Sequence, residues 1–116
     1  MKYLVFGLAI ATLLSSCAPG DRTHIINDLT QSQTITLTKK DNQENIYAWT
    51  LKGSGEIEGE AEISVILDKE PYLTEELSGI IDFEWQGDWY SDDATIVYEP
   101  ISVTSGEISL DYRFYD

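Results

Sequence analysis

The alternation of apolar and acidic residues over residues 55–67 most restricts what this chain can fold into. Every even position from 56 to 62 is a glutamate, and the odd positions carry Ile57, Gly59, Ala61, Ile63, Val65 and Leu67. Because successive side chains of a strand point to opposite faces, the segment predicts a strand with one buried face and one row of carboxylates in water. A straight strand of this length would span roughly 43 Å, so we expect Gly59 to mark a bulge or a bend.

The same two-residue period recurs along the chain between clusters of turn-forming residues. It predicts strands at 24–26, 33–39, 46–52, 55–67, 78–85, 94–99 and 107–115. Gly53-Ser54-Gly55 predicts a hairpin turn, because glycine permits the positive φ of tight turns. Residues 68–77, which include Pro71, are predicted to form a long loop, and residues 86–93 a turn and an irregular loop. About seven short strands without a helix after residue 17 predict an all-β fold, a small antiparallel β-sandwich or a small barrel.

The first 17 residues have the order of a secretory signal peptide. Lys2 precedes an almost unbroken apolar run over residues 3–14, and small residues then lead to Cys17, the chain's single cysteine. The run is too short for a transmembrane helix, which needs about 20 apolar residues. The ending Leu14-Ser15-Ser16-Cys17 resembles the lipobox of bacterial lipoproteins. A chance cysteine after an ordinary signal peptide is the alternative.

The lipobox resemblance implies a domain organisation and a location. A peptidase would cut before Cys17, whose thiol would carry a diacylglycerol. The chain would then comprise a signal peptide over 1–16, the lipidated cysteine and a tether over 17–32, and a folded domain over 33–116. The protein would be exported and anchored to a bacterial membrane, and Ala18 would suggest the outer membrane in a host with two. Acylation of Cys17 would leave no thiol for a disulfide or a metal site.

The charge balance restricts the partners that the domain can have. After Lys2 leaves with the signal peptide, six basic residues remain against 21 acidic ones, a net charge of −15 over 100 residues. Such a balance argues against nucleic acid, which needs a surplus of Lys and Arg, and against lying flat on an anionic membrane. It suits a domain held off the bilayer by a lipid, or one that meets a cationic partner. Plain solubility explains the charge without any partner, and it is the interpretation that the composition favours.

Catalytic and metal sites are not predicted. His24 is the only histidine and falls in the predicted tether, where a Ser-His-Asp arrangement could not be held in place. Paired carboxylates, which a glycosidase needs, are abundant and therefore non-specific. Asp88, Asp92 and Asp93 are close in sequence, but their spacing differs from that of a calcium-binding loop. We therefore expect neither enzymatic activity nor a cofactor.

Three aromatic residues near the Gly87 turn are the candidate binding residues. Trp85 continues a strand alternation, which favours the core, whereas Trp89 and Tyr90 lie outside any regular pattern. Loop aromatics either contact a sugar or a protein partner, or fold inward to cap the open end of a sandwich; the missing disulfides favour capping. The sequence thus predicts a lipid-anchored envelope lipoprotein whose acidic domain binds a protein or a glycan. A structural envelope component and a small hydrolase with paired carboxylates are the alternatives.

Overall fold

A computed structural model describes residues 21–116, which form a single antiparallel sheet of six strands. The strands are β1 (Arg22–Ile26), β2 (Gln33–Thr38), β3 (Ala48–Leu67), β4 (Glu70–Asp88), β5 (Asp93–Pro100) and β6 (Ser105–Tyr115). All strand pairs are antiparallel, and the sheet curls into a half-barrel. The prediction of a small antiparallel all-β fold is confirmed. The predicted signal peptide, Cys17 and Ala18 lie outside the described residues.

Strands β3 and β4 form one long hairpin, with β3 at the centre of the sheet and β4 at its edge. The turn predicted at Gly53-Ser54-Gly55 is wrong, because β3 runs through it without a break. Gly53 instead makes room for a neighbour, since a Cβ there would overlap the Phe83 ring on β4. The two strands predicted at 46–52 and 55–67 are therefore one continuous strand. The number of strands falls from the predicted seven to six.

The hairpin turns at Asp68 and Lys69, within the segment predicted to be a long loop. Both residues have positive φ, 53° and 71°, as a two-residue type I′ turn requires. The loop prediction is wrong because β4 begins directly after this turn, at Glu70. Pro71 is tolerated there because β4 pairs with β3 alone among the described strands, and an edge strand can lack an N–H on its open side.

A bend at Gly59 divides β3 into two halves. The first half pairs with β6 and the second with β5, while β4 follows both halves on the other side. The register between β3 and β4 shifts between Ile57 and Glu60, and Gly59 has a φ of 110°. A Cβ at Gly59 would overlap the carbonyl oxygen of Ser102. The predicted bulge at Gly59 is confirmed.

The bend brings the two ends of β3 close together. β4 ends where Asp88 pairs with Ala48, and β5 begins beside the far end of β3, where Thr95 pairs with Ile66. Only residues 89–92 join these two strands, and they can span at most roughly 17 Å. A straight β3 would be roughly 66 Å long. The short connection therefore exists only because the sheet curls.

The core fills the concave side of the curled sheet. Its largest fully buried side chains are Trp49, Tyr98, Leu37, Leu51, Ile63, Ile96, Ile108, Leu110 and Val65. The inward faces predicted for 55–67, 78–85 and 107–115 are confirmed, except that Leu67 at the hairpin tip is exposed. Tyr47, which falls in the strand predicted at 46–52, precedes β3 and is exposed.

The folded domain begins earlier than predicted. β1, inside the predicted tether, pairs with β6 from Arg22 to Ile26, and both Ile26 and Leu29 are buried. The buried Tyr98 hydroxyl donates a hydrogen bond of 2.7 Å to the Leu29 carbonyl, and burial raises the pKa of Tyr98. The predicted boundary at residue 33 is therefore wrong, and the described fold starts at residue 22. The strand predicted at 24–26 is confirmed as part of β1, which pairs with the sheet inside the segment predicted to be a tether.

Candidate functional site

Exposed carboxylates surround the bend on the convex side of the sheet. We call this group the acidic face; it consists of Glu56, Glu58, Glu60, Glu62, Glu76, Glu99 and Glu107. Residues directly opposite each other in an antiparallel pair project from the same side of the sheet. Glu62 lies opposite Glu76 on β4 and opposite Glu99 on β5, and Glu56 lies opposite Glu107 on β6. Carboxylates from four strands therefore share one surface.

Two hollows in the acidic face also contain exposed isoleucines. A hollow of about 690 Å³ is lined by Glu56, Glu58 and Glu107 together with Ile80, which is 80% exposed. A second hollow, of about 280 Å³, is lined by Glu60, Glu62 and Glu76 with Ile101, which is 68% exposed. No basic residue lines either hollow. The surface thus combines negative charge with accessible apolar groups.

Strand pairing within the described part of the chain places no basic residue opposite the glutamates of the acidic face, so their negative charge is not compensated. Residues 21–116 contain six basic side chains, and by strand register none of them lies opposite a member of the acidic face. Like charges placed directly opposite each other on neighbouring strands lower the stability of a sheet. The row of Glu99, Glu62 and Glu76 is therefore unfavourable for the isolated fold.

The three predicted aromatic residues have different surroundings. Trp85 and Trp89 are buried, whereas Tyr90 is 75% exposed. The Trp89 ring centroid lies 4.8 Å from that of Trp49, and its indole N–H donates a hydrogen bond of 3.0 Å to the Asp93 carbonyl. The burial of Trp89 agrees with the capping alternative. Of the three, only Tyr90 presents most of its ring to solvent.

Tyr90 belongs to a groove that the sequence did not reveal. We call it the aromatic groove; it has a volume of about 370 Å³ and is lined by Leu67, Tyr72, Asp88, Trp89, Tyr90 and Ser91. One wall is the tip of the β3–β4 hairpin, and the other is the loop after β4. The two walls are far apart in sequence, and Tyr72 fell in the predicted loop, so no local pattern could have joined them.

Residues 21–116 contain no arrangement of three or more His, Cys, Asp and Glu side chains that could hold a metal ion. His24 lies on β1 opposite Leu110. Every buried side-chain nitrogen or oxygen in this part of the chain has a hydrogen-bond partner. In the same residues, no helix is long and apolar enough to cross a membrane.

No protein-family model matches the chain, and no curated protein or solved structure is significantly similar to it. The class that the fold defines is a small antiparallel all-β protein with a strongly acidic surface.

Proposed function

We propose that this protein is a lipid-anchored envelope lipoprotein whose non-catalytic domain binds a basic protein through the acidic face. The observation that carries the proposal is the row of three opposed glutamates, Glu99, Glu62 and Glu76. Their mutual repulsion costs the isolated domain stability. A partner with basic residues over this row would turn that repulsion into attraction and would also be steered toward it.

The exposed isoleucines support a protein as the partner. A specific protein interface combines an apolar centre with a polar rim. Ile80 and Ile101 lie in hollows whose other lining residues include glutamates. A basic surface with apolar side chains between its charges would match both features. A glycan would leave the carboxylates without cations to pair with.

The anchor rests on the resemblance of residues 14–17 to a lipobox. Four residues, 18–21, lie between Cys17 and the first described strand at Arg22, so the chain from Cys17 to Arg22 can span at most roughly 17 Å. An acylated Cys17 would therefore hold the domain close to the bilayer, where it would meet partners in the envelope. Fatty-acid labelling tests this part: wild type should take up label and Cys17→Ser should not, and label on the variant would contradict the anchor.

Capture from an envelope extract tests the partner. The full-length acylated protein would serve as bait at low salt, beside Glu62→Gln/Glu76→Gln and the control Asp41→Asn/Glu44→Gln. Both double variants remove two exposed or half-buried carboxylates and have equal net charge. We expect a basic protein to be retained by wild type and by the control, and to be lost from Glu62→Gln/Glu76→Gln.

Other outcomes would replace the proposal. If all three baits retained the captured protein equally, binding would not depend on the acidic face. Self-association without any captured protein would favour a structural envelope component. Hydrolysis of a glycan by the purified protein would favour the paired-carboxylate hydrolase.

A further inference from the structure

The aromatic groove presents two tyrosine rings from opposite ends of one strand. Tyr72 follows the start of β4, Tyr90 follows its end, and their exposed fractions are 55% and 75%. The curl of the sheet brings these ends to the same groove, which Leu67 of β3 also lines. Both the aromatic groove and the acidic face therefore depend on the bend of the sheet.

A β-bulge places Tyr72. Between the pairs Val65–Leu73 and Ile66–Pro71, β4 has one residue more than β3, and that residue is Tyr72. An extra residue in one strand locally redirects its side chain and is common beside binding sites. Tyr72 is therefore freed from the regular alternation of β4 at the point where the strand meets the groove.

The opposite wall is held by the core. Trp89 is buried against Trp49, and its indole N–H is bonded to the Asp93 carbonyl. Its backbone N–H donates to the Tyr47 carbonyl at 3.2 Å. Tyr90 and Asp88 are the immediate neighbours of this fixed residue. The backbone of this wall is therefore fixed before any ligand arrives, which lowers the entropic cost of binding.

The chemistry of the lining selects a cation. The faces of aromatic rings attract ammonium and guanidinium groups. Asp88 contributes a carboxylate, and no basic residue lines the groove. The net charge of the chain, −14 including the N-terminal segment, opposes anionic ligands. A guanidinium group suits the site best, because it is planar, stacks on aromatic rings and can donate two hydrogen bonds to one carboxylate.

We propose that the aromatic groove receives an arginine side chain of the basic partner, stacked on Tyr72 or Tyr90 and paired with Asp88. This inference rests on the proposed function. An exposed cation–π contact is weak by itself, so a free small cation would bind poorly. A side chain whose protein is already held by the acidic face reaches the groove at a high effective concentration.

A peptide of alternating arginine and glycine is the probe, titrated by fluorescence anisotropy against the full-length acylated protein in nonionic detergent. Tyr72→Leu and Tyr90→Leu keep an apolar side chain but remove the ring. We expect each to weaken binding roughly two- to fivefold. Tyr90→Phe, which keeps the ring, should bind within about twofold of wild type. Tyr47→Leu changes an exposed tyrosine outside the groove and should bind like wild type.

The lysine version of the peptide adds a second readout. Wild type should prefer arginine over lysine, and the preference should shrink in Tyr72→Leu/Tyr90→Leu. The inference is overturned if the leucine variants bind the arginine peptide like wild type. It is also overturned if a serine-glycine peptide binds wild type equally well, since the groove would then accept a neutral ligand.

The same titration separates failure of the groove from failure of the acidic face. If Glu62→Gln/Glu76→Gln weakens binding while the leucine variants do not, the acidic face stands and the groove does not. If wild type fails to bind the arginine peptide even at low salt, both proposals fall together.

Discussion

Two rows of charged residues cross β3 on the same convex surface, but they compensate their charge differently. In the first half, Lys52 lies between Glu84 on β4 and Asp111 on β6, so neighbouring charges alternate in sign. In the second half, Glu62 lies between two further glutamates. Both rows satisfy the backbone pairing of the sheet equally well. The contrast shows that strand pairing does not require an uncompensated acidic row, and the proposed binding of a basic protein would account for such a row.

The largest expected effect on stability comes from a substitution at Ile63, the buried neighbour of Glu62. It tests which face of β3 points into the core. Ile63→Asp would place a charge in the fully buried core and should lower the free energy of unfolding by about 4 kcal/mol or more. Glu60→Lys, on the exposed side, should leave stability within about 0.5 kcal/mol of wild type or raise it slightly. Urea unfolding compares the two. Equal costs would mean that the faces of β3 are misassigned.

The next largest effect concerns the residues that close the curl. Trp89→Ala removes a buried ring beside Trp49 and should lower the free energy of unfolding by about 3 to 5 kcal/mol. Tyr90→Ala, at an exposed site, should change it by about 0.5 kcal/mol or less. Thermal melts of both variants measure the difference. A melt of Trp89→Ala that matched wild type would contradict its capping role.

The bend that separates the two halves gives a smaller effect. Gly59→Ala combines an unfavourable φ with an overlap against Ser102 and should cost about 3 kcal/mol. Gly79 also has positive φ, 61°, but no atom lies within 4 Å of an added Cβ. Gly79→Ala should therefore cost only about 1 to 2 kcal/mol. Chemical denaturation of both variants checks the order, and a reversal would mean that Gly59 does not hold the bend.

Exchanging charges between the rows gives the smallest effect on stability. Glu62→Lys should raise the free energy of unfolding by about 0.5 kcal/mol, because it places a cation between two glutamates. Lys52→Glu should lower it by a similar amount, since it creates a second all-acidic row. Both changes should shrink as salt is raised. Effects of the same sign at low salt would contradict the difference between the rows.

The sequence predicted the faces of the strands better than their extent. Alternation is a local property, so the inward side chains of 55–67, 78–85 and 107–115 could be read directly. The turn prediction at Gly53 was wrong because glycine suits both a tight turn and a close contact with a neighbouring side chain. The Phe83 ring, thirty positions later in the chain, is what distinguishes the two cases. The Asp68-Lys69 turn contains no glycine, so the sequence indicated a break near residue 68 but not a turn of only two residues.

Neither of the two proposed binding surfaces could be derived completely from the sequence. The sequence shows the even-numbered glutamates of β3. Which residues lie opposite Glu62, however, depends on the strand register, and the β3–β4 register shifts at the Gly59 bulge. The aromatic groove needs both the bulge at Tyr72 and the curl that brings Tyr72 near Tyr90. Both surfaces are therefore consequences of tertiary structure that a pattern of residues does not contain.

Binding measured on matched variants of the two rows tests the central claim most directly. Glu62→Gln/Glu76→Gln neutralises part of the uncompensated row, and Glu84→Gln/Asp111→Asn neutralises the anions around Lys52; both raise the net charge by the same amount. Titrated with the arginine-glycine peptide at low salt, the first variant should bind about three- to tenfold more weakly than wild type. The second should bind within about twofold of wild type. Equal losses from the two variants would mean that net charge alone attracts the peptide, and would contradict a binding site at the acidic face.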